Sequence, residues 1–113
     1  MSQSGRQINR MIHYHVWFSL KPEVSEEEGL SFAQAFIAEL TIQGKLARGL
    51  VLKNTGEAPK SRLLRYHALF EFGDDEQMTA AFASKRKDGI QTGPHGKLMK
   101  SVSEFRVEIF REA

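Results

Sequence analysis

The chain has 113 residues, a formal net charge of +2 and no cysteine. Without cysteine it cannot form disulfides, a thiolate zinc site or a thiol nucleophile. Its basic residues are spread among acidic ones, which argues against a surface for nucleic acid. This length is typical of one domain with its own hydrophobic core.

Residues 1–10 are polar and basic, and no apolar run long enough for a signal peptide or a membrane span follows them. We interpret 1–10 as an N-terminal extension of a single domain that spans 11–113. Since nothing in the sequence points to an oxidising compartment or a membrane, we expect a cytoplasmic protein.

The first predicted element is a strand from Met11 to Leu20, because large apolar side chains recur there at every second position. Ser25 and Glu28 then have the spacing of a capping box, which predicts the start of a helix. Apolar residues at helical spacing continue to about Gln43. Gly44 suits the left-handed conformation that ends many helices.

The second half predicts a strand over 45–53, a hairpin loop over 54–59 and a strand with alternating aromatic residues over 64–72. The segment 74–77 repeats the capping pattern and predicts a helix that runs to Gly89. A loop over 89–96, a helical turn over 97–101 and a last strand over 102–111 follow.

The resulting order is strand, helix, strand, strand, helix, strand. Two strand-helix-strand units with right-handed crossovers interleave into a four-stranded antiparallel sheet with both helices on one side. The sequence therefore predicts an α+β fold of the ferredoxin-like βαββαβ type.

Alternation assigns the strand residues to two faces of this sheet. The residues expected to face the helices are Tyr14, Val16, Phe18, Tyr66, Ala68, Phe70, Phe105, Val107 and Ile109. We expect the helices to cover this face fully.

The opposite face is more apolar than expected for a sheet face exposed to water, because it carries Trp17, Leu69 and Phe110. Burying such side chains yields about 25 cal/mol per Å² of apolar area, which favours pairing with a second sheet. We therefore expect a homodimer with an interface formed by His15, Trp17, His67, Leu69, Arg106, Glu108 and Phe110. The alternative is a half-solvated sheet with scattered apolar residues.

Several segments resemble the dimeric alpha-beta barrel superfamily, and most closely its stress-responsive A/B barrel domains. They are His15-Val16-Trp17-Phe18-Ser19-Leu20-Lys21-Pro22-Glu23-Val24-Ser25-Glu26-Glu27-Glu28, Tyr66-His67-Ala68-Leu69-Phe70-Glu71-Phe72, Gly93-Pro94-His95 and Phe105-Arg106-Val107-Glu108-Ile109-Phe110. The resemblance implies a homodimer whose two sheets form a barrel, with a small cavity in each subunit between sheet and helices.

The same resemblance implies a candidate site. In plant cyclases of this superfamily, a histidine after the second helix works with a tyrosine to move protons on a bound polyketide. His95 lies in the matching loop, whereas Phe82 stands at the position that matches the tyrosine. Relatives also include oxygenases that use neither metal nor flavin, and proteins with no assigned activity.

The chemistry favoured by these residues is proton transfer, with His95 as general acid or base on a small, mostly apolar or aromatic carbonyl compound. Tyr14 and Tyr66 would orient the ligand by hydrogen bonds. The predicted ligand-binding wall is formed by Val16, Phe18, Phe36, Phe70, Phe82 and Phe105. We expect no cofactor and no metal.

Three alternatives stay open. The cavity can belong to a non-catalytic binding or stress-associated scaffold protein. His13, His15 and His67 can form a metal site, although histidines at a dimer interface are the commoner arrangement. A nucleic-acid-binding domain is disfavoured because Trp17, the aromatic side chain on which a base could stack, is not surrounded by basic residues.

Overall fold

The computed structural model describes residues 11–56, 64–88 and 93–113. Its strands are β1 (Ile12–Leu20), β2 (Arg48–Lys53), β3 (Tyr66–Phe72) and β4 (Val102–Arg111), and its helices are α1 (Glu26–Ile42), α2 (Asp75–Asp88) and α3 (Gly93–Ser101). The strands form one antiparallel sheet in the order β2-β3-β1-β4. This arrangement confirms the predicted ferredoxin-like fold.

Burial in β3 follows the predicted alternation: Tyr66, Ala68, Phe70 and Phe72 are buried, while the residues between them are half-buried. Each residue on one face of β1 pairs with a residue on the same face of β3, so that Val16 lies opposite Ala68. The two central strands therefore present one continuous apolar face to the helices.

Helix α1 begins and ends where its sequence predicts. The Ser25 hydroxyl accepts a hydrogen bond from the backbone N–H of Glu28 at 3.1 Å, which satisfies one of the free amides of the first turn. At the other end Gly44 has φ +72°, in the left-handed region. Between these caps Ala33, Phe36 and Leu40 are buried against the sheet.

Helix α2 is capped at its first turn by Asp74, whose carboxylate accepts the Gln77 N–H at 2.8 Å. Helix α3 corrects the predicted loop, because the helix already begins at Gly93. Gly93 itself has φ +80°, outside the helical region, so Pro94 is the first residue that can carry the φ angle of a helix, and proline at this position needs no amide partner. His95 consequently lies in a helical first turn and not in a loop; the rest of the predicted loop, 89–92, is outside the described residues.

The core lies between the helices and the strands β3 and β1, with Phe18, Phe36, Leu40 and Phe72 fully buried. The expectation that the helices cover the whole face was wrong at β4. There Phe105, Val107 and Ile109 are 51%, 36% and 44% exposed. The reason is the strand order, because α1 and α2 pack on β2 and β3 while β4 is the edge strand on the other side of β1.

None of the helices described is long and apolar enough to cross a membrane.

Candidate functional site

A cavity of about 240 Å³ lies between the sheet and the three helices. Strands β1, β3 and β4 supply one wall, and the helices supply the other. The thirteen lining side chains are Tyr14, Val16, Phe18, Phe36, Ala68, Phe70, Phe82, His95, Leu98, Met99, Val102, Phe105 and Val107. The cavity is therefore apolar nearly throughout.

Two of the lining side chains have strong hydrogen-bonding groups, and they come from opposite walls. Tyr14 is in the first half of β1, and His95 is in the first turn of α3. A phenol donates and accepts hydrogen bonds, and a neutral imidazole does the same through its two nitrogens. The site can therefore both give and take a proton within apolar surroundings.

Aromatic neighbours fix the Tyr14 ring. It stacks on Phe82 with ring centroids 4.9 Å apart, and meets Phe70 and Phe72 edge-on at 6.1 Å and 6.2 Å. Three aromatic contacts restrict the ring to one orientation, so its hydroxyl has a defined position in the wall.

His95 is half-buried, and its ring centroid lies 4.9 Å from that of Phe36. Phe36 is itself fully buried in α1, so the contact joins α3 to the rigid part of the core. The imidazole is thus positioned by packing between two helices.

The predicted wall residues Val16, Phe18, Phe36, Phe70, Phe82 and Phe105 all line this cavity. Five lining residues are absent from the predicted wall: Leu98, Met99 and Val102, which lie where α3 meets β4, and Ala68 and Val107, which strand alternation assigns to the same face of the sheet. Proline is typical of the first turn of a helix, so Pro94 could have indicated that the helix begins here. A helix from this position places Leu98 on the side that faces the sheet, among the cavity-lining residues.

Tyr66 is not among the cavity-lining residues. Its hydroxyl donates a hydrogen bond to Glu26 Oε1 at 3.1 Å, and Lys53 Nζ lies 2.8 Å from Oε2 of the same carboxylate. These hydrogen bonds, that from Lys53 first, lower the pKa of Glu26, while burial and the Glu26 hydrogen bond raise the pKa of Tyr66. The structure therefore places Tyr66 in a polar cluster at the start of α1 and not beside His95.

The sheet face turned away from the helices carries the residues predicted for a dimer interface. We call this surface the open face; it comprises His13, His15, Trp17, His67, Leu69, Glu71, Arg106, Glu108 and Phe110, which the strand register places side by side. No bulge shifts β1 against β3, so the histidines keep this side while Tyr14 keeps the cavity side.

The centre of the open face is a stack of flat rings. Trp17 lies 4.6 Å from His67 and 5.3 Å from His15, ring centroid to ring centroid and nearly parallel. Phe110 meets His15 edge-on at 5.1 Å. His15 Nδ1 and His67 Nε2 are 2.9 Å apart, which is a hydrogen bond between imidazoles.

Ionic contacts lie at one end of the open face. His13 lies 3.4 Å from a carboxylate oxygen of Glu71 and 3.4 Å from one of Glu112, and Arg48 lies 3.8 Å from Glu71. Within the described ranges, no group of three or more His, Asp or Glu side chains is arranged to hold a metal ion.

Several solved structures have the same fold as this chain, although their sequences are only distantly similar to it. A hydroxynitrile lyase from Passiflora edulis has a TM-score of 0.71 at 11% identity, covering 93% of this chain and 95% of that chain. A dabb family protein with a ferredoxin-like fold from Mesorhizobium loti has a TM-score of 0.63 at 18% identity, covering 89% and 95%. A dimeric ferredoxin-like protein of unknown function from Thermobifida fusca has a TM-score of 0.65 at 9% identity, covering 90% and 91%.

At these identities the likeness extends to the fold alone. A comparison with curated proteins finds no match. In sequence, residues 11–113 match the model of a family of unknown function (DUF6614).

Proposed function

This chain belongs to DUF6614, and we propose that it is a homodimeric protein that binds a small aromatic or apolar carbonyl compound and moves a proton on it. One observation carries the proposal: a phenol and an imidazole, Tyr14 and His95, line the same otherwise apolar cavity. Apolar pockets with a few well-placed polar groups are the usual form of small-molecule sites.

The size of the cavity limits the ligand. A cavity of about 150 Å³ admits benzene, and pockets for drug-sized ligands start at about 300 Å³. The volume of about 240 Å³ lies between these values. The ligand is therefore a compound of one ring, or a short branched chain, with one polar group.

The proposed chemistry is general acid-base catalysis without a cofactor. His95 takes a proton from a ligand hydroxyl, and Tyr14 donates a hydrogen bond to the oxygen on which negative charge develops. The neighbour from Passiflora edulis, a hydroxynitrile lyase, supports this class of reaction on the same fold. In a cyanohydrin, loss of the hydroxyl proton to the imidazole accompanies cleavage of the C–CN bond, and cyanide leaves with the bonding electron pair and regains the proton as HCN.

The proposed assembly is a dimer through the open face, of the stress-responsive A/B barrel type. Two structural neighbours, from Thermobifida fusca and Bacteroides fragilis, are dimeric proteins with a ferredoxin-like fold. In a single chain Phe110 is 53% exposed beside the Trp17 and histidine stack, and a second sheet would cover this apolar area.

The binding experiment compares two probes of similar size by calorimetry: benzaldehyde, which has a carbonyl, and toluene, which has none. We expect Tyr14→Phe and His95→Gln each to weaken benzaldehyde binding by about three- to tenfold, because one hydrogen bond contributes about this much to affinity. The affinity for toluene should stay within about twofold of the wild type. Tyr66→Phe, outside the cavity, is the matched control and leaves both affinities unchanged. Failure of both probes to bind would overturn the cavity as a ligand site.

The catalytic part is tested by the release of benzaldehyde from mandelonitrile, followed by absorbance. We expect turnover that His95→Gln lowers by at least about a hundredfold, as for loss of a general base. Binding without turnover would leave the non-catalytic scaffold as the function, because the same cavity then serves only to hold the compound.

A further inference from the structure

The hydrogen bond between His15 and His67 limits how many protons the pair can hold. His15 Nδ1 and His67 Nε2 are 2.9 Å apart, so one nitrogen must donate N–H and the other must accept it. A neutral pair satisfies this rule, and so does a pair with one extra proton on an outer nitrogen. Two imidazolium rings do not, because both facing nitrogens would then carry hydrogen.

The neighbours of this pair are poor at solvating charge. Trp17 stacks on both imidazoles, and Phe110 packs against His15 in a T-shaped contact. In the strand register Leu69 lies opposite His15 on β3, and Leu52 lies opposite His67 on β2. A second copy seated on this surface would remove the remaining water from the pair.

Charged and titratable groups approach the pair from every strand of the sheet. On β1 the neighbour is His13; on β3 it is Glu71; on β4 Glu108 pairs with His15 and Arg106 pairs with Trp17; on β2 the nearest is Arg48, beside Glu71. The two glutamates favour a charged imidazole, whereas Arg106 and Arg48, together with His13 when it is protonated, oppose it.

In the single chain the balance already disfavours protonation. Burial, followed by His13, lowers the pKa of His15, although Glu108 and Glu71 act in the opposite direction. Burial, followed by His15, lowers the pKa of His67. Further burial would lower both pKa values further, because desolvation is the largest cause of each shift.

We propose that the His15–His67 pair makes self-association through the open face depend on pH, so that the dimer is tight near neutral pH and weakens in mild acid. This inference rests on the dimer proposed above. The sign follows from linkage: a histidine whose pKa is lower in the dimer binds fewer protons there, so acid favours the separate chains. The weakening begins as the pH falls through the pKa values of the separate chain, which already lie below the ordinary histidine value, and it levels off below the still lower pKa values of the dimer.

The dimer contains two such pairs, one per chain. Each proton linked to dissociation changes the dissociation constant by about tenfold per pH unit within this range. We therefore expect the dissociation constant to rise by at least about tenfold between pH 7.5 and pH 5.5.

The test is sedimentation equilibrium of the full chain at these two pH values and constant ionic strength. The double variant His15→Gln with His67→Gln keeps groups that donate and accept hydrogen bonds but cannot titrate, so its dissociation constant should not change with pH. His13→Gln, on the same face but outside the pair, is the matched control; it should keep the pH response, with a midpoint at higher pH because His13 no longer lowers the pKa of His15.

The outcomes separate the two proposals. A single chain at both pH values overturns the dimer itself. A dimer with the same dissociation constant at both pH values leaves the dimer intact and overturns the pH dependence. A pH response that persists in a folded double variant overturns the assignment to this pair. Should that variant fail to fold, an NMR titration of the wild type serves instead, and independent titration of His15 and His67 at the ordinary histidine pKa would refute the inference.

Discussion

The hydroxyl of Tyr66 donates a hydrogen bond to the carboxylate of Glu26, at 3.1 Å, across the junction between strand β3 and the start of helix α1. Tyr66 is buried, and its ring lies 5.5 Å from that of Phe18, centroid to centroid. The phenol thus has a partner outside the cavity, and this hydrogen bond links the first turn of α1 to the sheet.

Tyr66→Phe should raise the pKa of Glu26, because one of the hydrogen bonds that lower it is lost while that from Lys53 remains. Because the pKa of Glu26 is lowered in the folded protein, the hydrogen bonds to its carboxylate stabilise the fold above the ordinary glutamate pKa. This stabilisation is lost as the pH falls through the lowered pKa. NMR titration of the carboxyl carbon measures the shift directly. An unchanged Glu26 pKa, or a loss of benzaldehyde binding in this variant, would contradict the placement of Tyr66.

Ser25→Ala should destabilise the protein by about 1 kcal/mol, the usual cost of an N-cap, because it leaves the Glu28 N–H without its partner. Ser31→Ala, in the exposed interior of the same helix, is the matched control. Ser31 donates to the Glu28 carbonyl, a local bond of the kind that slightly weakens a helix, and alanine has the higher helix propensity, so Ser31→Ala should not destabilise the protein. Urea unfolding of the two variants gives the comparison, and equal losses of stability would contradict a capping role.

The local features of this fold could be predicted from the sequence because each depends on neighbouring residues. The capping serine, Gly44 and the alternation around Val16 act over a few positions, and the structure has all of them. The face on which each β1 and β3 residue lies followed from the same alternation.

The remaining features depend on where elements cross, which alternation does not determine. Phe105 was assigned to the correct face, yet the position of β4 at the edge of the sheet leaves it half-exposed. Tyr66 was also assigned to the correct face, but it begins its strand, beyond the reach of the cavity that contains Tyr14. Alternation therefore predicts on which side of the sheet a residue lies, but not how far along the strand it lies from the cavity.

Phe105 and Phe110 offer a matched test of the two sides of β4, because they are 51% and 53% exposed and belong to the same strand. Phe105 lines the cavity, whereas Phe110 lies on the open face against His15. In the separate chain neither is fully buried, so at concentrations below the dimer dissociation constant each change to alanine should cost about 1–2 kcal/mol of stability, below the ~3–5 kcal/mol typical of a buried phenylalanine.

Their functional effects should differ. We expect Phe105→Ala to weaken benzaldehyde binding several-fold and leave the dimer dissociation constant unchanged, because it removes part of the cavity wall. Phe110→Ala should do the reverse, because it removes apolar area from the proposed interface without altering the cavity. Calorimetry and sedimentation on both variants make the comparison. If both variants lost both properties, the ligand site and the interface would be one coupled surface, and the assignment of separate roles to the two sides of β4 would be wrong.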